Sequence, residues 1–152
     1  MTRIDYRYDE CGLDNVILKN LKVLTDDDGE DVITIPNVGL LHHVLMMEIA
    51  SKESGMQPNE LRFVRTEFGL TQAELAALVG RDVQTIGRWE RGEHPMDKAA
   101  EIVIRAKVLE TMESTLKMED LARRTLASAS QPPFLIDACN PAEYKPIHKV
   151  AA

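Results

Sequence analysis

Cysteine and aromatic residues are scarce in this chain of 152 residues, with two Cys, one Trp, three Tyr and three Phe. Cys11 and Cys139 cannot form a disulfide framework, and neither has a neighbour at metal-ligand spacing. A reducing cytoplasm is therefore the expected home, and no bound metal is expected. No apolar run approaches the roughly 18 residues that a membrane-spanning helix needs. The opening MTRIDYRYDE has neither an apolar segment nor a cleavage motif, so no secretory signal is expected. The chain also lacks an internal repeat, a phosphate loop, a nucleophile–base pair and carboxylates in a cleft-like pattern. An enzyme is not expected, nor is a cofactor.

What the chain has in excess is negative charge, −7 overall, and that charge is unevenly spread. Residues 1–56 carry 5 Lys and Arg against 11 Asp and Glu, a balance of −6. Residues 57–110 carry 8 against 9, and residues 111–152 carry 5 against 5. The acidity thus belongs to the N-terminal third. A nearly neutral module with a basic face can still approach phosphates, because the local field governs contact.

Residues 4–39 read as strands and turns. DNVILKNLKVL and VITIP (Val32–Pro36) flank the turn Thr25–Asp31, which predicts a hairpin. The period changes at Val38, where Leu41, Leu45 and Ile49 fit an amphipathic helix running to Glu53. From Pro58 the pattern is helical. Leu61, Val64 and Phe68 share a face and Gly69 ends the helix. Thr71 and Glu74 have capping-box spacing for a second helix ending at Gly80, and Asp82 can cap a third, Val83 to Arg91. Asp97 can cap a long fourth helix, with a further helical stretch at STLKMEDLARRTLASA. The proline-punctuated end reads as an extended tail. The expected fold class is α+β. Its parts are a small acidic strand-containing module (1–56), an all-helical domain (57–129) and the tail (130–152).

The segment Gly69–Pro95 carries the functional signal. Ala76 is small where two helices would approach, Gly80 can turn left-handed, and Leu75, Val79, Ile86 and Trp89 can hold the pair on a core. Gln84, Thr85, Arg88 and Arg91 supply hydrogen-bonding groups to the other face. A short turn between two such helices is the helix-turn-helix arrangement, in which the second helix lies in the major groove. LTQAELAALVG followed by TIGRWERG resembles the Xre/phage-repressor family of DNA-binding domains. That resemblance implies a lambda-repressor-like helical domain that binds double-stranded DNA. Val83, Gln84 and Arg88 would face bases, and Gln72, Arg81, Thr85 and Arg91 would face phosphates. Arg65 and Glu90 would form a structural ion pair.

The same segment, preceded by a strand-containing module, is also similar to the MqsA-type antitoxins, which join an N-terminal zinc finger to such a domain. That finger needs two CxxC pairs, whereas YDECG (Tyr8–Gly12) keeps one cysteine, so no structural zinc is expected. The resemblance implies a toxin-like protein partner for the N-terminal module as an alternative role. HHVLMME (His42–Glu48) reads as helix packing rather than a metal site, Cys11 as an inert thiol, and Asp26–Asp31 as a solvated turn without EF-hand spacing. Ile102, Val103, Ile104, Val108 and Leu109 cannot all face one small core, which predicts an exposed stripe and a homodimer. Two-fold symmetry would then require a palindromic operator.

Overall fold

A computed structural model describes residues 2–127 and 132–148. The fold class is α+β, with strands followed by six helices and then strands again. The chain divides into two compact units, residues 1–45 with 132–152, and residues 46–131. The first unit is discontinuous in sequence, and the second is inserted into it.

The first unit is built on a sheet of order β1-β2-β4-β5. Its strands are β1 (Thr2–Arg7), β2 (Val16–Thr25), β4 (Phe134–Asp137) and β5 (Lys145–Pro146). The short β3 (Asp31–Val32) returns against the far end of β2 and completes the predicted hairpin with two residue pairs. β2 buries Val16, Leu18, Leu21 and Val23, a set that breaks strict alternation between Leu18 and Leu21. A bulge restores it. The register steps from Ile4↔Leu21 to Tyr6↔Leu18, so β2 carries one extra residue, and Asn20 takes it up at φ +60°. Asn tolerates that left-handed region better than most residues. Asp5 secures the bulge, accepting from Lys19 Nζ at 2.9 Å and from the Asn20 N–H at 3.4 Å.

The tail expected over 130–152 is corrected by this sheet. Residues 130–131 and 149–152 lie outside the described residues, but Phe134–Asp137 pairs in parallel with Val16–Lys19. Phe134 and Ile136 are buried in register with Val16 and Leu18. Two parallel neighbours need a long crossover, and here the crossover contains the whole helical unit. The boundary expected near residue 56 falls instead inside α1 (Val38–Ser51).

The helical unit contains α2 (Pro58–Glu67), α3 (Gln72–Val79), α4 (Val83–Glu90), α5 (Lys98–Thr111) and α6 (Met118–Leu126). α5 and α6 are separate helices, interrupted where Glu113 turns left-handed at φ +55°. Leu61, Phe63, Val64, Leu75, Ile86 and Trp89 form the core around α2–α4. Ile104, Val108 and Leu109 of α5 are also buried within the chain. Only Val103 of the expected stripe is clearly exposed, while Ile102 is half-buried. The stripe is therefore narrower than its composition implied, because α6 covers part of it. No helix among the described residues is long and apolar enough to cross a membrane.

The polar centre of this unit is Arg105, which is completely buried. It donates to the carbonyls of Ala50 (3.0 Å), Lys52 and Ser54 (3.0 Å), to Thr125 Oγ1 (3.1 Å) and to Glu101 Oε2 (3.3 Å). Those carbonyls belong to the end of α1 and the turn after it, where helical acceptors have no intrahelical donor. A second buried pair, Lys52–Glu60 at 2.7 Å, closes the same region. Burial pushes the Glu101 carboxyl above its ordinary pKa, with Lys98 and Arg105 opposing.

Arg105→Met removes the donors but keeps the side-chain bulk. It should lower the unfolding free energy by roughly 3–5 kcal/mol in urea titration, as expected when a buried charged network is broken from one side. Glu101 gives a pH dependence of defined sign. With a folded pKa above the unfolded one, its contribution is fully present below the unfolded value and is lost as pH rises through the folded value. The wild type should therefore lose stability relative to Glu101→Gln as pH rises from about 4.

Candidate nucleic-acid interface

The site begins with two helix caps. Thr71 Oγ1 accepts from the Glu74 N–H at 3.1 Å, while the Glu74 carboxylate accepts from the Thr71 N–H at 3.1 Å. This capping box satisfies two donors and fixes where α3 starts. α3 ends at Gly80, whose φ of +69° a β-carbon would disfavour, and the Arg81 N–H closes onto the Ala76 carbonyl at 2.9 Å. Two residues later Asp82 caps α4, accepting from the Thr85 N–H at 2.9 Å and the Thr85 hydroxyl at 3.0 Å. These two hydrogen bonds, the backbone one foremost, hold the Asp82 carboxyl below its usual range.

α4 presents two different faces. Ile86 and Trp89 are buried at 0% and 4% exposure, whereas Val83 is 45% exposed and Gln84 and Arg88 are exposed too. Gln84 and Arg88 are four residues apart and so share one side of the helix. Neither side chain makes a hydrogen bond or ion pair among the described residues. α4 ends in a Schellman arrangement, with the Gly92 N–H on the Trp89 carbonyl (3.2 Å) and the Glu93 N–H on the Arg88 carbonyl (2.9 Å).

A bidentate ion pair locks α4 to α2. Arg65 donates through Nε to Glu90 Oε2 at 2.6 Å and through Nη2 to Oε1 at 3.0 Å. Its third donor, Nη1, reaches the Leu70 carbonyl at 2.9 Å, and Gln72 Nε2 adds a bond to Glu90 Oε1 at 3.2 Å. One guanidinium thus joins α2, the loop before α3 and the last turn of α4.

The residues expected to face phosphate are placed differently from the base-facing set. Gln72 is turned onto Glu90, and the single Thr85 hydroxyl proton is directed to Asp82. Arg81 pairs with Asp97, and Arg91 pairs with Glu93 at 2.9 Å. The carboxylates Glu93 and Asp97 were not singled out as site residues by the sequence. Glu93 lies two residues after Arg91, which was its only signal, whereas Asp97 stands 16 residues from Arg81 and was legible in sequence only as the cap of α5.

Among the described residues, no group of three or more His, Cys, Asp or Glu could hold a metal ion. Cys11 and Cys139 are free thiols, and burial pushes the Cys11 thiol above its usual pKa. His42 is occupied by Tyr8, whose hydroxyl lies 2.7 Å from its Nε2.

Arg65→Met should destabilise the chain by about 3 kcal/mol, the lower end for a buried pair broken from one side, because the arginine keeps 15% exposure. Chemical denaturation measures the loss. An unchanged midpoint would show that the pair does not hold α4.

Residues 61–106 match the family model described as helix-turn-helix. No curated protein and no solved structure matches the chain. The match spans most of α2, all of α3 and α4, and the first part of α5, and does not reach the N-terminal residues of the antitoxin-type likeness. Residues 61–106 are a helix-turn-helix domain, of a family of DNA-binding regulatory domains.

Proposed function

We propose that this chain is a sequence-specific transcriptional repressor that acts in the cytoplasm as a homodimer on a palindromic operator. The observation that carries the reading is the two-faced α4. The Gln84 and Arg88 side chains stand exposed, without hydrogen-bond or ion-pair partners among the described residues, on a helix whose other face is anchored by Ile86, Trp89 and the Arg65–Glu90 pair. An anchored helix with unpartnered planar donors on its outside suits major-groove readout.

Each side chain has a defined chemical capacity. Arg88 can donate two parallel hydrogen bonds to guanine O6 and N7, and Gln84 can pair with adenine N6 and N7. Val83 offers an apolar contact to a thymine methyl group. Each bidentate pair discriminates against a wrong base by roughly 1–3 kcal/mol, so Gln84 and Arg88 carry most of the specificity. A homodimer doubles this footprint. Exposed Val103 on α5 with Met118 and Leu126 on α6, at 45%, 55% and 66% exposure, provides apolar surface for it.

A second reading gives the N-terminal residues the leading role, as an antitoxin-like module that binds a basic protein. The exposed acidic turn favours it, since Asp26, Asp27, Asp28, Glu30 and Asp31 all face solvent. A tight complex with a small basic protein, abolished by neutralising that turn, would support this alternative.

The discriminating experiment is selection from random duplexes with the purified chain. The expected result is an enriched inverted repeat bound by two copies. Arg88→Ala should weaken binding to it by about 1–3 kcal/mol while leaving thermal stability unchanged. Equal operator affinity for wild type and Arg88→Ala would remove Arg88 from the base-reading set.

A further inference from the structure

The geometry points to Glu93 as the residue that sets the strength of phosphate attraction at this interface: it acts as a built-in counter-ion for Arg91, lowering by one the number of phosphates that each α4 neutralises. This inference rests on the DNA-reading assignment above and specifies how that site is regulated.

Three observations converge on the pair. First, the contact is bidentate, with Arg91 Nε on Glu93 Oε1 at 2.9 Å and Nη2 on Oε2 at 3.1 Å. A carboxylate in that geometry occupies the fork of donors that a phosphate would use. Second, the backbone delivers the carboxylate there. The Schellman end of α4 ties the Glu93 N–H to the Arg88 carbonyl at 2.9 Å, which keeps its side chain beside the last turn of the recognition helix.

Third, α4 makes room for the arginine. Gly87 is a poor residue for a helix interior, yet a β-carbon there would stand 2.9 Å from Arg91 Nη1. The guanidinium therefore lies back over its own helix, in space that a side chain at position 87 would fill. The Glu93 carboxyl is held below its usual range by Arg91 first, with smaller effects from Arg88 and His94. It stays ionised wherever DNA is bound near neutral pH.

Arg81 is engaged in a similar way by Asp97, whose other oxygen accepts from the Ala99 N–H at 3.2 Å to cap α5. The Arg88 side chain is then left as the cation of α4 without a hydrogen-bond or ion-pair partner among the described residues. The consequence is a recognition surface that depends more on base contacts and less on indiscriminate attraction to the backbone. Such a balance suits a chain that must ignore a large excess of non-specific sites. The Arg91–Glu93 pair is itself exposed, at 58% and 52%, so its worth to folding is small and its removal leaves the domain intact.

The test is a salt titration of binding to the selected duplex by wild type, Glu93→Gln, Arg91→Ala, the double variant and Glu110→Gln. The last variant removes the same charge from an exposed position near the end of α5. Glu93→Gln should steepen the plot of log affinity against log salt by about 0.9 per recognition helix. Per helix, that slope corresponds to roughly eightfold tighter binding at 0.1 M salt, converging with the wild type near 1 M. The gain should vanish in the Arg91→Ala background, and Glu110→Gln should give much less of it. An unchanged slope, a gain that persists without Arg91, or an equal gain from Glu110→Gln would each overturn the counter-ion role while leaving DNA reading intact. Failure of the wild type and every variant to bind any duplex would overturn the DNA-reading assignment, and this inference with it.

Discussion

The orientation of α4 depends on one partly buried ion pair, Arg65–Glu90. Its two parallel hydrogen bonds fix the last turn of α4 against α2, and the third donor of Arg65 holds the Leu70 carbonyl in the approach to α3. Caps at Thr71 and Asp82 define where the two helices of the motif start, but caps are local and cannot set an angle between helices. The ion pair supplies that long-range constraint together with Ile86 and Trp89 in the core. With both ends of α4 held, Gln84 and Arg88 project from a rigid support. Base readout needs such a support, because a bidentate contact is lost when its donors swing by even small amounts.

Charge is arranged to the same end. Arg65, Arg81 and Arg91 each carry a carboxylate partner, which leaves the Arg88 side chain as the cation on α4 without an ion pair among the described residues. This resolves the apparent conflict between an acidic chain and a partner made of phosphates. The acidity is concentrated outside the helix-turn-helix, and within it the arginines are mostly balanced by neighbours. A surface of this kind relies on hydrogen-bond geometry more than on net field, which favours discrimination over sheer attraction.

Local features of this architecture were legible in the sequence, and distant pairings were not. The capping box Thr71/Glu74, the left-handed Gly80 and the cap Asp82 each leave a signature within a few residues, and the structure contains all three. The strand Phe134–Asp137 left none. Its partner lies more than 100 residues away, and a parallel pairing has no turn to announce it. The bulge at Asn20 hid the regular alternation of β2, because one extra residue shifts the apolar set by a single position. Arg105 looked like one charge among several on α5, and only the packing of α1, α5 and α6 turns it into a buried hub. The same gap explains why α5 looked more exposed in sequence than it is.

The most direct measurement of the central claim is backbone amide mapping of the isotopically labelled chain as a selected duplex is added. If α4 reads the major groove, perturbations should concentrate in residues 71–73 and 82–93, with side-chain signals of Gln84 and Arg88 among the largest. Perturbations confined to residues 2–45, or absent throughout at saturating duplex, would contradict the assignment of α4 as the DNA-reading element.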